Sequence, residues 1–213
     1  MAISNYAELQ AAAANWLARD DLTARIPEFI VLCEAKLNRE LFVRQMEERS
    51  TTVIDTTSDE PEFISLPDDF QSMRRIRLFS VIGKPVLSFM SGTQIDEFRM
   101  RTANMAGRPQ YFSIAGSEIE LAPTPDQDYT IEMTYRKYIP ALASNSANWL
   151  LTLAPDVYLY GTLLESAPYI KEDERIQTWL TGFSNAIDSL NRLGLTSTFN
   201  AGPMSMRVSG LTP

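Results

Sequence analysis

The chain has 213 residues, 45 % hydrophobic and 22 % charged, which is enough apolar material for a core, and a formal net charge of −8 from 19 Lys and Arg against 27 Asp and Glu. It has no histidine and a single cysteine, Cys33, which excludes a Ser-His-Asp or Cys-His nucleophile system, a His-ligated zinc and an intramolecular disulfide. The acidic balance argues against broad binding to a phosphate backbone, and no signal peptide is expected, because Glu8 interrupts the Ala-rich opening and no basic region precedes it.

Residues 1–43 read as the first part of a helical bundle. Tyr6, Leu9, Ala13, Trp16 and Leu17 recur at helix spacing behind Ser4 or Asn5 as a cap. Asp20-Asp21 breaks that helix. Pro27 suits the first turn of the next, whose stripe is Ile26, Ile30, Cys33, Leu37 and Leu41. Cys33 is expected to pack there as a small hydrophobe.

Residues 44–147 read as a β-rich insertion, because the apolar period changes to two. Leu66-Pro67-Asp68-Asp69-Phe70 is a turn, and Ile76 and Leu78 alternate with Arg75 and Arg77. Gly83-Lys84 predicts a tight hairpin into Val86–Phe89. A short helix is expected over 92–103, with Ile95 and Phe98 inward and Asp96-Glu97 near its positive end. Gly116-Ser117 marks the turn into Ile119 and Leu121, and Tyr129, Ile131, Met133 and Tyr135 form the clearest strand.

Residues 148–194 return to helix. Pro155 opens a segment with Val157, Tyr160, Leu164 and Ala167 on one face and Tyr158, Leu159 and Leu163 on another, apolar nearly all round. Asp156 and Glu165 break the run of about 20 apolar residues that a membrane span needs. Such a helix has to be buried on several sides, and copies of the chain are the economical cover. Pro168 should end or bend it. Asp173 should cap a last helix with the stripe Ile176, Trp179, Leu180, Phe183, Ile187, Leu190 and Leu193, stopped by Gly194. Residues 195–213 hold no acidic residue and one charge, Arg207, yet carry Phe199, Met204, Met206, Val208 and Leu211. They read as an extended C-terminal arm. The fold class is α+β: a bundle from N- and C-terminal helices with a β-rich insertion.

Three kinds of function remain open from the residues. The carboxylates Asp68, Asp69 and Glu165 are the candidates for a glycan hydrolase, since a buried Glu can act as general acid beside a second carboxylate. Against this, an Asp after Pro in a turn commonly bonds local backbone, and Glu165 suits an ion pair with a neighbouring helix or subunit. Arg74, Arg75, Arg77, Arg99, Arg101 and Arg108 could contact nucleic acid, or could form the wet face of strands. Trp16, Trp149, Trp179, Tyr158, Tyr160 and Tyr169 belong in a core or at an interface. There is no Gly-x-Ser-x-Gly motif and no Gly-rich phosphate loop, so no catalytic residue, metal ligand or cofactor is assigned.

Several words of the sequence resemble a known family. Tyr6-x-x-Leu9, Trp16-Leu17-x-Arg19-x-Asp21-Leu22, Ile26-Pro27-x-Phe29-Ile30 and Leu37-Asn38-Arg39 are similar to the head-to-tail adaptors of tailed bacteriophages. So are Leu66-Pro67-Asp68-Asp69-Phe70, Asn148-Trp149-Leu150-Leu151, Pro155-Asp156 and Tyr158-Leu159-Tyr160-Gly161. The resemblance spans the chain to about Asn191. It implies a structural virion protein of the neck, assembled in the host cytoplasm as a ring, usually of twelve, beneath the portal. Its partners would be further copies of itself, the portal protein and a tail nozzle or tail-hub protein, with genomic DNA passing transiently through the lumen. No membrane and no cofactor is implied. The expected interface residues are Tyr158, Leu159 and Leu163 on the apolar helix and Phe199, Met204, Met206, Arg207 and Leu211 in the arm.

Overall fold

The computed structural model describes residues 3–170 and 174–199 and divides into two units. One joins the chain up to Met46 with the chain from Ile139, and the other is Glu47–Tyr138. The N- and C-terminal helices and the central β region are thus those of an α+β protein.

The helical unit begins with α1 (Tyr6–Leu17), where the Asn5 side chain accepts the Glu8 backbone N–H at 2.9 Å. Glu8 returns the favour, accepting from the Ser4 backbone N–H at 2.7 Å, so two orphan donors are satisfied. A 3-10 segment, Asp20–Arg25, leads into α2 (Ile26–Glu40), with Pro27 in its first turn. Ile26, Ile30, Cys33, Leu37 and Leu41 are all buried, as their spacing predicts. After the insertion come α4 (Leu142–Asn145), α5 (Trp149–Leu153), α6 (Pro155–Ile170) and α7 (Ile176–Phe199). The unit resumes at Ile139, ahead of the apolar run at 148. The Ile139 N–H donates to Asn38 Oδ1 at 2.8 Å, and Leu142 is fully buried.

The helix α6 lies at the centre, against α1, α2, α5 and α7 of the same chain. This corrects the expectation that copies must cover it. Val157, Tyr158 and Leu163 are fully buried and Leu159 nearly so. The Tyr158 hydroxyl is satisfied inside, accepting from Asn148 Nδ2 at 2.7 Å. The enclosure depends on Gly161. A Cβ there would collide with Cys33 Sγ of α2 and stand 2.8 Å from Phe183 Cε2 of α7. Gly182 repeats the device in reverse, since a Cβ there would meet the Tyr160 ring at 3.1 Å.

One helix end departs from the sequence reading. Pro168 lies inside α6, which runs on to Ile170. Gly194 does not stop α7, which continues to Phe199. Instead Gly194 lets the helix cross the chain at Val43, whose Cα would be 3.2 Å from an added Cβ. The crossing is fixed by Asn191, which accepts the Phe42 N–H at 2.8 Å and donates to the Glu40 carbonyl at 3.1 Å. Residues 195–199, expected to begin the extended arm, are helix, while the expected cap Asp173 and the rest of the arm, 200–213, lie outside the described residues.

The β unit holds two sheets. In the first, β1 (Glu47–Val53), β7 (Thr130–Lys137) and β3 (Phe70–Leu78) run antiparallel in the order β1-β7-β3. In the second the order is β2-β6-β5-β4, from β2 (Phe63–Ser65), β6 (Glu118–Ala122), β5 (Tyr111–Ala115) and β4 (Ser88–Phe89). Gly116, at φ 63°, turns β5 into β6. The tight hairpin expected at Gly83-Lys84 is a wider loop. Leu78 N–H reaches back to the Pro85 carbonyl at 3.0 Å, and β4 joins the other sheet, parallel to β5. Helix α3 (Gly92–Arg101) buries Ile95 and lays Phe98 edge-on to Tyr111 at 5.3 Å. Its positive end is satisfied by a Ser91–Gln94 capping box, with no acidic residue in the first turn.

Gly161→Ala should cost about 1–3 kcal/mol of stability by overpacking the α2–α6–α7 junction. A urea unfolding midpoint unchanged from the parent would show that the junction can yield.

Candidate functional site

Asp69 and Glu165 each have a partner within their own unit. Asp69 Oδ1 accepts the Tyr135 hydroxyl at 2.8 Å, and the Phe70 N–H closes the turn on the Pro67 carbonyl at 3.0 Å. Glu165 lies 3.9 Å from Lys36 Nζ of α2, the helix-to-helix pairing its sequence position suggests. Glu34, which sequence reasoning passed over, is buried in α2, and burial raises its pKa although it accepts the Leu142 N–H at 2.8 Å. Among the described residues, no group of three or more His, Cys, Asp or Glu could hold a metal ion. Cys33 is fully buried, and that burial pushes its thiol pKa up, away from the reactive thiolate.

The arginines are largely engaged within the β unit. Arg77 Nη2 stands 2.6 Å from Glu132 Oε1, and Arg49 Nη1 is 3.4 Å from Glu132 Oε2. Arg99 pairs with Glu120 at 2.6 Å and donates to the Leu121 carbonyl at 3.1 Å. Arg74 faces Glu47 at 3.5 Å and Arg101 faces Glu97 at 3.3 Å. Arg75 and Arg108 are exposed. Glu132 is almost fully buried, and so is Arg136, whose pKa is lowered by burial and by the Arg74 charge. They share the face of β7 opposite Ile131, Met133 and Tyr135. Cross-strand charge pairing covers that face, and a simple alternation in sequence does not reveal it.

What the helical unit offers outward is apolar. Phe42, Leu153, Leu193 and Leu195 each leave between 48 % and 58 % of their surface in solvent. Leu153 and Leu193, with Val43, Arg44, Gln45, Leu190 and Gly194, line a hollow of about 200 Å³. On α2, Val31 and Leu32 are exposed on the face opposite the Ile26–Leu37 stripe, a position legible from helical period alone. Trp16 and Tyr169, grouped with the core aromatics in sequence, are about half exposed; Trp16 keeps an edge contact with Tyr160 at 6.0 Å. The β unit has an open groove of about 560 Å³ lined in part by Phe70, Met73, Phe89, Phe112 and Ile114.

The expected interface residues divide. Tyr158, Leu159 and Leu163 are core, with little or no surface for another chain. Phe199 is the last residue of α7. Met204, Met206, Arg207 and Leu211 lie outside the described residues. Among the described residues no helix is long and apolar enough to cross a membrane.

The helical unit thus presents exposed aliphatic side chains on more than one helix. The model of the SU10 adaptor protein family matches residues 4–207, and the chain belongs to that family, one of phage head–tail adaptors. Membership gives it a structural role in the virion, at the neck, with portal and tail proteins as the implied neighbours. No curated protein matches the chain.

Removing Arg77 should leave the buried Glu132 without its 2.6 Å partner and with the exposed Arg49 at 3.4 Å. Arg77→Ala is therefore expected to cost about 3 kcal/mol in denaturant unfolding, and a loss below about 1 kcal/mol would mean that the pair contributes little. Burial gives Glu34 a higher pKa in the folded chain than in the unfolded one. The folded state thus binds more protons across that window, and stability falls as pH rises through it. Glu34→Gln keeps the acceptor for Leu142, so its stability relative to the parent should improve from about pH 4 to about pH 7. Parallel pH profiles for the two proteins would contradict this.

Proposed function

We propose that the protein is a ring-forming head-to-tail adaptor that docks on the portal and connects it to the tail, with DNA passing through the lumen. The observation that carries this reading is the family match over residues 4–207, nearly the whole chain. Two physical features support it. The helical unit presents large apolar side chains on more than one face, Val31 and Leu32 on α2 and Phe42, Leu153 and Leu193 at the α7 crossing. Two different patches on one body suit a heterologous contact, in which each copy presents one patch to the next and the series closes into a ring. The net charge of −8 suits a channel wall past which DNA slides.

In this reading the seam between copies uses the outer faces of α2 and α7, while α6 stays inside each copy. Residues 200–213 reach the portal or a neighbouring subunit through Met204, Met206 and Leu211, with Arg207 as their one charge. The ring is a dodecamer, and a tail nozzle or hub protein binds its other side. Assembly takes place in the host cytoplasm before the ring joins the virion.

Electron microscopy of the purified chain mixed with portal protein should show closed rings seated on the portal. A chain that stays monomeric and leaves the portal bare would refute the reading. A chain ending at Phe199 should keep a cooperative thermal transition but lose portal binding, and unchanged docking would remove the role of residues 200–213.

A further inference from the structure

One face of the first sheet carries a charge opposite to that of the whole chain. Residues directly opposed across a ladder point to the same side, so the register Arg49↔Thr134, Arg75↔Thr134 and Arg77↔Glu132 puts three arginines on one face. Arg74 joins them, since it reaches Glu47 at 3.5 Å and Glu47 stands opposite Arg136 on that face. Besides the buried Arg136, these four guanidinium groups stand beside two carboxylates, Glu47 and Glu132. Arg49, Arg74 and Arg75 are exposed, and Arg75 takes part in none of these ion pairs.

The end of the same sheet has the reverse charge. Val53 pairs with Thr130, so the loop after β1 and the turn before β7 leave the ladder together. Thr56 fastens them, donating to Asp128 Oδ1 from its N–H at 3.0 Å and from its hydroxyl at 2.6 Å. Asp55, Asp59, Glu60, Asp126 and Asp128 are all exposed there, and residues 54–62 and 126–129 contain no Lys or Arg. Asp55 follows Arg49 by six residues, about 20 Å of extended chain. Exposed charges that far apart are screened from each other, since the screening length is about 10 Å at moderate salt. The ladder thus keeps the two charge sets of one copy apart, and neither neutralises the other.

We infer that the arginine face of the β unit docks the acidic end of a second copy. The two surfaces differ, so each copy offers one to the copy before it and the other to the copy after it. Guanidinium forks match the paired oxygens of Asp and Glu. A nucleic acid is the poorer occupant, because it would approach a chain of net charge −8. The contact adds a charged seam to the ring proposed above. It rests on that reading only for closure into a ring, and it operates between any two free copies.

Sedimentation velocity of the full chain tests the contact. Self-association should weaken about tenfold as NaCl rises from about 50 mM to about 500 mM, because exposed charges are screened. Two variants neutralise exposed side chains only: Arg74→Gln with Arg75→Gln, and Asp59→Asn with Glu60→Gln. Each should bind itself about tenfold more weakly than the parent. At a concentration where each alone is monomeric, an equimolar mixture should form heterodimers and nothing larger. The arginine variant still supplies an acidic end and the carboxylate variant an arginine face, so a single seam forms. A parent that is monomeric at low salt, association that ignores salt, or a mixture no better than its components would overturn the proposal. Fluorescent duplex DNA bound by the parent and released by the arginine variant would assign the face to nucleic acid and overturn it as well. Normal rings seated on the portal by both variants would sink this seam alone. Heterodimers in the mixture beside a bare portal would uphold the seam and sink only the ring reading.

Discussion

The helical unit depends on one close approach. At Gly161 the backbone of α6 lies so near Cys33 of α2 and Phe183 of α7 that no side chain fits between them. A glycine in mid-helix costs about 1 kcal/mol of propensity relative to alanine. Here that cost is offset by three helices brought into dense contact, where dispersion and burial accumulate over Tyr158, Leu163, Phe29 and Phe183. Lys36 completes the junction from outside, with its ammonium 4.9 Å from the Phe183 ring and 3.9 Å from Glu165. A helix apolar on every side is thereby satisfied within a single chain.

That enclosure moves the functional surface outward. With α6 sealed, large exposed aliphatics lie on the helices around it, Val31 and Leu32 on α2 and Leu193 and Leu195 on α7. The β unit follows a related economy. Its central strand β7 buries Ile131, Met133 and Tyr135 on one face and Glu132 and Arg136 on the other. Arg77 and Arg49 hold Glu132 across two strands, so its charge is met within the unit. A fold arranged in this way presents shape and apolar area to its neighbours, which suits an adaptor.

Much of this organisation is legible in the sequence because it rests on period and local chemistry. Ile26, Ile30, Cys33 and Leu37 bury where a 3.6-residue repeat puts them, Asn5 caps α1, and Gly116 turns β5 into β6. The failures share one cause: a residue type that serves two physical ends. Gly194 is a helix stop by propensity, yet in the fold it is a point of close passage over Val43. Arg77 is a wet-face charge by alternation, yet it is paired across strands with the buried Glu132. The all-round apolarity of Tyr158, Leu159 and Leu163 signals burial correctly but cannot say whose atoms provide it. Long-range contacts settle each of these cases, and period carries no information about them.

The passage of α7 beyond Gly194 ties these observations together. Because Asn191 fastens the 40–42 backbone to α7 from both sides, the crossing is held and the helix continues to Phe199. A glycine that breaks helices by propensity here permits the close passage that lets α7 run on over Val43.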